Sequence, residues 1–257
     1  MCVDLEITIT NGSLRYHSSP RSNTNKAVIE NLNLTIAANK WTCLVGKSGC
    51  GKSTLIKFLA GLLTESTEWQ GQLTISDNQP LTGRVAYMAQ QDLLLPWLTV
   101  LDNVCLSSKF GHHNHSSTPN LKQRAMTLLE HVGLADKHQL LPQQLSGGMR
   151  QRVALARTLL QDQPIVLMDE PFSALDAVTR YRLQDLFVKL LKHKTVVLIT
   201  HDPQEAIRLS DQLYILQGEP AFATALSLPP TLPPRRFDAE SAIHQQRIFD
   251  ILAHDHD

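Results

Sequence analysis

Gly46-Lys47-Ser48-Gly49-Cys50-Gly51-Lys52-Ser53 stands between a short apolar run, Trp41 to Val45, and a segment, Ser53 to Leu63, whose apolar residues recur at helical spacing. The order is strand, glycine-rich loop, helix. Glycines let such a loop curl until several backbone N–H groups face one anion, and the helix that follows adds its positive end. The eight residues satisfy G-x-x-x-x-G-K-[ST] in the context that pattern requires, so the loop Gly46, Lys47, Ser48, Gly49, Cys50, Gly51, Lys52, Ser53, with Thr54 in the first helical turn, is expected to cradle a nucleoside triphosphate. Lys52 is expected to reach the β- and γ-phosphates, and the Ser53 hydroxyl to ligate Mg2+.

Working outward, Leu5 to Thr10 and Val28 to Ile36 alternate apolar and polar side chains, as strands with one solvated face do. Strands are also expected at Gly71 to Ile75, Val85 to Met88, Ile165 to Met168 and Thr195 to Thr200. The last two are apolar on both faces, the mark of buried parallel strands. From about residue 92 to 161 helical spacing dominates, in Leu121 to Val132 and Arg150 to Leu160, so a helical subdomain inserted into an α/β core is expected. The polar stretch Lys109 to Pro119 carries His112, His113 and His115 with no carboxylate or thiol beside them, and reads as a solvated turn. Residues 1–217 are expected to form one main unit. Residues 218–257, with Pro229, Pro230, Pro233 and Pro234 ahead of an amphipathic Ala239 to Leu252, are expected to be a linker and a helical tail.

The chain of 257 residues holds 24 Lys+Arg against 24 Asp+Glu, so no net field draws it to nucleic acid or acidic lipid. No apolar run is long enough for a bilayer span, and the first six residues are acidic where a signal peptide is basic. A soluble, unexported protein is expected. Cys2, Cys43, Cys50 and Cys105 form no CxxC pair, consistent with reduced thiols.

Two further constellations bear on chemistry. Ile165 to Met168 delivers Asp169 and Glu170 at the edge of the sheet where ligands bind in open α/β folds. Asp169 is the expected Mg2+ ligand and Glu170 the expected general base toward a water. Leu145-Ser146-Gly147-Gly148-Met149 precedes a strong helix and offers a second capped helix end suited to phosphate. It has no lysine or metal ligand of its own and reads as half of a site.

Together these residues resemble the nucleotide-binding subunit of ABC transporters, from about Tyr16 to Leu216. The phosphate loop, Leu145 to Met149 followed by Arg150-Gln151-Arg152, Met168-Asp169-Glu170-Pro171, Ser173-Ala174-Leu175-Asp176 and Thr200-His201-Asp202 occur in the family's order. The resemblance implies an α/β P-loop NTPase core (an ABC ATPase) with an antiparallel β subdomain and the inserted helical subdomain. It implies ATP and Mg2+ as cofactors, and a head-to-tail pair of ATPase subunits, taken as a homodimer, in which the signature of one covers the ATP of the other. By the same resemblance Ser146, Gly147 and Gly148 contact the partner's γ-phosphate, His201 holds the γ-phosphate on its own side, and Asp176 links the two sites. Gln90 is similar to the glutamine that senses Mg2+ and water, the following Leu94-Leu95-Pro96-Trp97 favouring it over Gln91, and Tyr16 is similar to the aromatic that stacks on adenine. Ser18 to Asn25 lengthens the hairpin after Tyr16 relative to the family's pattern.

The apolar stretch Leu93 to Val104 reads as a groove for a helix of a membrane partner. That stretch, with Met168 to Asp176 and Thr179-Arg180, looks like the importers for nitrate, taurine, other sulfonates and thiamine-pyrimidine precursors. Transmembrane permease subunits, and indirectly a periplasmic solute-binding protein, are the implied partners, with the chain peripheral on the cytoplasmic face of the inner membrane. Two other readings stay open at this point. A soluble ATP-driven clamp on nucleic acid or the ribosome calls for a basic groove, and a small-molecule kinase leaves Ser146 without a role.

Overall fold

The computed structural model of the chain describes residues 4–17, 27–63, 67–109 and 118–254. The extended hairpin at Ser18 to Asn25, Cys2 and the three histidines His112, His113 and His115 lie outside the described residues.

Among the described residues the strands form two sheets. The first is antiparallel, in the order β2-β1-β4, from β1 (Ile7–Tyr16), β2 (Ala27–Ile36) and β4 (Thr67–Ile75). The second has six strands in the order β5-β6-β7-β3-β8-β9: β3 (Trp41–Gly46), β5 (Val85–Met88), β6 (Ile165–Asp169), β7 (Thr195–Thr200) and β8 (Gln212–Gln217) run parallel, and β9 (Phe222–Leu226) closes the edge antiparallel to β8. Side chains along each central strand alternate between two cores. Leu44, Leu167, Val197 and Ile199 face the first sheet across α1 (Lys52–Leu59), whose Leu55, Ile56 and Leu59 fill the gap. Cys43, Val45, Met168 and Leu198 face a helical layer that includes Phe172 and Phe187, whose rings meet edge to face at 5.7 Å.

Between β5 and β6 the described chain is helical: α2 (Val100–Val104), a 3-10 turn at Cys105–Lys109, α3 (Thr118–His131) and α4 (Gly147–Leu160). After β6 come α5 (Ala177–Leu190), then α6 (Pro203–Leu209) following β7. Helices on one face and a second sheet on the other bury parallel strands on both sides, as their continuous apolar sequences require.

Several boundaries differ from the sequence expectation, each for a local reason. α1 ends at Leu59 instead of Leu63, because Gly61 takes φ +73° while its N–H bonds Phe58 O and the N–H of Leu62 bonds Lys57 O. This pair of reversed bonds is the Schellman stop, which a glycine enters without a Cβ penalty. β1 runs to Tyr16 because a register shift around Asn11, at φ +49°, lets the strand bend and continue, and β4 follows it back to Thr67. α4 begins at Gly147 because Ser146 caps it, its hydroxyl accepting the N–H of Met149 at 3.3 Å.

The stretch after Gln217 is tied in closely. β9 joins the sheet, and the buried Arg235 donates to the carbonyls of Ile207 and Ser210 at 2.7 Å each and of Pro229 at 3.2 Å. α7 (Ala239–His254) then sets Ile248, fully buried, into the helical-side core. Among the described residues no helix is long and apolar enough to cross a membrane.

Candidate nucleotide site

Four loops leave the C-terminal edge of adjacent parallel strands: the loop after β3, Gln90 after β5, Asp169-Glu170 at β6 and His201 after β7. That edge is where open α/β sheets hold ligands.

In the first loop Gly51 takes φ +102° as the N-cap of α1, with no side-chain cap to close the helix end. A Cβ there would stand 2.9 Å from Val28 Cγ1. The position therefore requires glycine on both conformational and steric grounds. The ammonium of Lys52, buried, donates to Gly46 O at 2.7 Å and Lys47 O at 2.6 Å, with Cys50 Sγ at 3.7 Å. Lys52 thus spans its own loop from inside. Tyr16, 44% exposed at the end of β1, places its hydroxyl 3.4 Å from Thr54 Oγ1. The strand pairing of the first sheet brings that ring beside the first turn of α1.

Asp169 ends β6 almost wholly buried, beside the Ser53 hydroxyl. Burial raises its pKa above the ordinary 3.8 and the neighbouring Glu170 charge adds to the rise, against the lowering effects of Ser53, Lys57 and Lys52. A desolvated carboxylate beside a hydroxyl is an oxygen donor set that suits a hard divalent cation.

Glu170 stands at φ +49°, a conformation that costs a non-glycine residue about 1 kcal/mol or more and that recurs at working sites. Its carboxylate is held from both sides. Gln90 Nε2 donates to Oε2 at 3.0 Å, and His201 Nδ1 lies 3.1 Å from Oε1. Since β6 runs between β5 and β7, residues 80 apart and 31 apart in sequence meet on one carboxylate; of the adjacent glutamines, Gln90 makes this contact.

The second helix end is open to solvent. Ser146 and Gly147 are exposed at the start of α4, with no acidic residue in the first turn. Asp176 caps α5, accepting Thr179 N–H at 3.0 Å, and that backbone bond holds its carboxyl below the usual range. The structure therefore gathers Tyr16, Gly46 to Thr54, Gln90, Asp169, Glu170 and His201 on one side, and leaves Ser146 to Gly148 and Asp176 at two other helix starts.

Three features escaped the sequence reading. Asn103, fully buried, donates to the carbonyls of Leu95, Leu98 and Thr99 and accepts the N–H of Leu95 at 2.8 Å, which pins a loop whose Trp97 is 71% exposed. Arg150 and Arg157 tie α4 to the same loop, Arg150 Nε to Asp92 at 2.9 Å and Arg157 to Leu93 O at 2.8 Å. Phe249 of α7 lines a cavity of about 290 Å³ shared with Glu170 and His201. A buried amide, two arginines and an aromatic placed by tertiary contact leave no periodic signal, so only the fold could disclose them.

Comparison with known proteins is consistent with this geometry. The profile of the ABC transporter family matches residues 29–173, more than half the chain. An uncharacterized ABC transporter ATP-binding protein of Haemophilus influenzae is 46% identical over 203 residues, spanning 79% of this chain and 81% of that protein. The aliphatic sulfonates import ATP-binding protein SsuB 1 of Mesorhizobium japonicum is 39% identical, spanning 88% and 83%. The dimeric post-hydrolysis structure of the ATP-binding cassette MJ0796 bound to ADP and Pi superposes with TM-score 0.74 at 29% identity, over 88% of this chain and 100% of that one. With its phosphate loop, acidic strand end and separate capped helix in the family's order, the chain belongs to the ABC transporter family.

Proposed function

We propose that the chain is the ATP-hydrolysing subunit of an ABC importer for a small solute of the sulfonate, nitrate or thiamine-precursor kind. The observation that carries hydrolysis is the carboxylate of Glu170, fixed between Gln90 and His201 next to Asp169. Import and the solute class rest on the named relatives, of which the Mesorhizobium protein is called an aliphatic sulfonates importer. None of the relatives described above is named as acting on nucleic acid or ribosomes.

The N–H groups at the open start of α1 take the phosphates, and Lys52 exchanges its two loop carbonyls for phosphate oxygens. Ser53 and Asp169 are the residues that would hold Mg2+, which when bound neutralises charge on the transferring phosphoryl group. Glu170 accepts a proton from the attacking water, with Gln90 fixing the direction of its lone pairs. His201 turns from the carboxylate toward the γ-phosphate, and Tyr16 stacks on the base. Ser146, Gly147 and Gly148 complete the site of a second subunit, a homodimer in the simplest case, and Asp176 lies between the two sites.

The pinned loop with exposed Trp97 and Leu93 is the surface for a transmembrane permease, on the helical insert of residues 92–161. The subunit sits peripherally at the inner face of the membrane, a periplasmic binding protein delivering solute from the other side. Phosphate release by the purified chain tests the reading. Expected is ATP turnover that Glu170→Gln abolishes and co-purification with a permease; turnover unaffected by Glu170→Gln overturns it.

A further inference from the structure

Gln151 lies on α4 just past the Ser146 cap, only 4% exposed, and both ends of its amide are spent on a different segment. Nε2 donates to the carbonyl of Glu170 at 3.1 Å, and Oε1 accepts the N–H of Ala174 at 2.8 Å. The hydroxyl of Ser173 donates to the same Glu170 carbonyl at 3.0 Å, so the turn from 170 to 174 closes around the glutamine. A second contact joins the same two parts: a Cβ on Gly148 would stand 3.1 Å from Ala174 O, so the first turn of α4 abuts the turn directly. Glu170 holds φ +49°, a backbone state that relaxes unless its neighbours restrain it.

We infer that Gln151 is a positioning residue that carries the placement of the Ser146 end of α4 to the backbone of Glu170. The inference rests on the two-site reading above. Under that reading the Ser146 end faces nucleotide in the partner's site, whereas Glu170 acts in the chain's own site. A rigid link of one side chain then makes occupancy of one site set the carboxylate of the other. Such a mechanical element can carry coupling between sites that no single ligand touches. A glutamine that merely satisfied itself in the core would hold stability and nothing else.

Two variants of the full chain separate these roles. Gln151→Met keeps length and burial but bonds neither partner. Gln151→Glu is isosteric, and only its protonated form can donate to Glu170 O while accepting from Ala174 N–H; the ionised form sets an oxygen lone pair against a carbonyl. Phosphate release is measured against ATP concentration, with thermal unfolding alongside. Wild type is expected to show a Hill coefficient approaching two, the number of sites, and Gln151→Met one near 1 with kcat down by about 10²-fold. Half-saturation by a non-hydrolysable ATP analogue should stay within a few-fold of wild type. The rate of Gln151→Glu relative to wild type should rise as pH falls from about 8 to about 6, because burial lifts a carboxyl's pKa so that it takes up its proton in this range.

The inference is overturned by a wild-type Hill coefficient of 1, by Gln151→Met retaining the wild-type steepness and kcat, or by a Gln151→Glu deficit that is the same at every pH. A wild-type chain that releases no phosphate from ATP overturns the hydrolase reading, and this inference falls with it.

Discussion

Two helix starts in this molecule look alike in sequence and are built differently. α1 begins at Gly51, in the left-handed conformation with no side chain over its end, whereas α4 begins at Ser146, whose hydroxyl closes one N–H with a bond to Met149. The first sits beside a buried lysine, a serine and two carboxylates delivered by β6; the second has no such cluster and faces outward. Both suit an anion through the same backbone groups and dipole. On the proposed reading the first binds and cleaves a phosphoanhydride but lacks a cover, and the second is a cover without a site. A pair of subunits brings each what it lacks, which is the arrangement a two-fold dimer permits.

The strongest way to break that comparison is at the carboxylate of the first region. Glu170→Gln keeps size and both hydrogen-bond neighbours but cannot take a proton, so turnover should fall by about 10²–10⁴-fold with ATP affinity within a few-fold, measured by phosphate release and by nucleotide titration. Persisting turnover would return Glu170 to a structural role. Lys52→Ala should reduce both affinity and turnover, the latter by about 10²-fold, because on the proposed reading the ammonium contacts phosphate in the ground state and more strongly in the transition state. Equal affinity in wild type and variant would take the lysine out of the phosphate cradle.

Ser146→Arg sharpens the comparison from the other side. The exposed position tolerates the side chain, so the chain should bind ATP as before, while turnover and ATP-dependent dimerisation, followed by size-exclusion chromatography, fall by about ten-fold or more. A monomer that hydrolyses ATP at full rate with this substitution would sever the two regions. Ser146→Ala is the milder form: loss of the cap bond to Met149 should cost about 1 kcal/mol of stability.

The smallest expected effect concerns Asp169, whose pKa is raised by burial and then by Glu170. Its charged form is disfavoured by folding, so stability from this group is full below the unfolded value of 3.8 and is lost as pH climbs through the higher folded value. Asp169→Asn should therefore unfold at a somewhat higher temperature than wild type above that window and at the same temperature below it, in the absence of nucleotide and metal. The same variant should lose metal-dependent turnover, the familiar exchange of stability against function at a buried charge. An unfolding midpoint that drops at neutral pH would show that the desolvation cost is met by its neighbours.

Legibility in the sequence followed the range of the physics. The phosphate loop, the acidic strand end and the signature helix could be read because their residues are contiguous and their chemistry is local. The apolar strands Ile165 to Met168 and Thr195 to Thr200 could be read from composition, while β8 went unassigned within residues 1–217 and β9 fell in the stretch expected to be a linker. The stop of α1 at Leu59 was written in Gly61, a glycine whose meaning depends on two reversed hydrogen bonds. Asn103, Gln151 and Arg235 were invisible, because each buried side chain bonds to backbone far from or out of step with its own element.

From the sequence alone came the glycine-rich loop, the acidic strand end and the second capped helix end, and with them the family resemblance. Only the tertiary structure decided that Gln90 and His201 converge on Glu170, since this depends on the strand order β5-β6-β7, which no local propensity encodes. Loop chemistry is set by neighbours a few residues away, whereas the order of parallel strands is set by how helices and a second sheet cover both faces, a property of the whole chain.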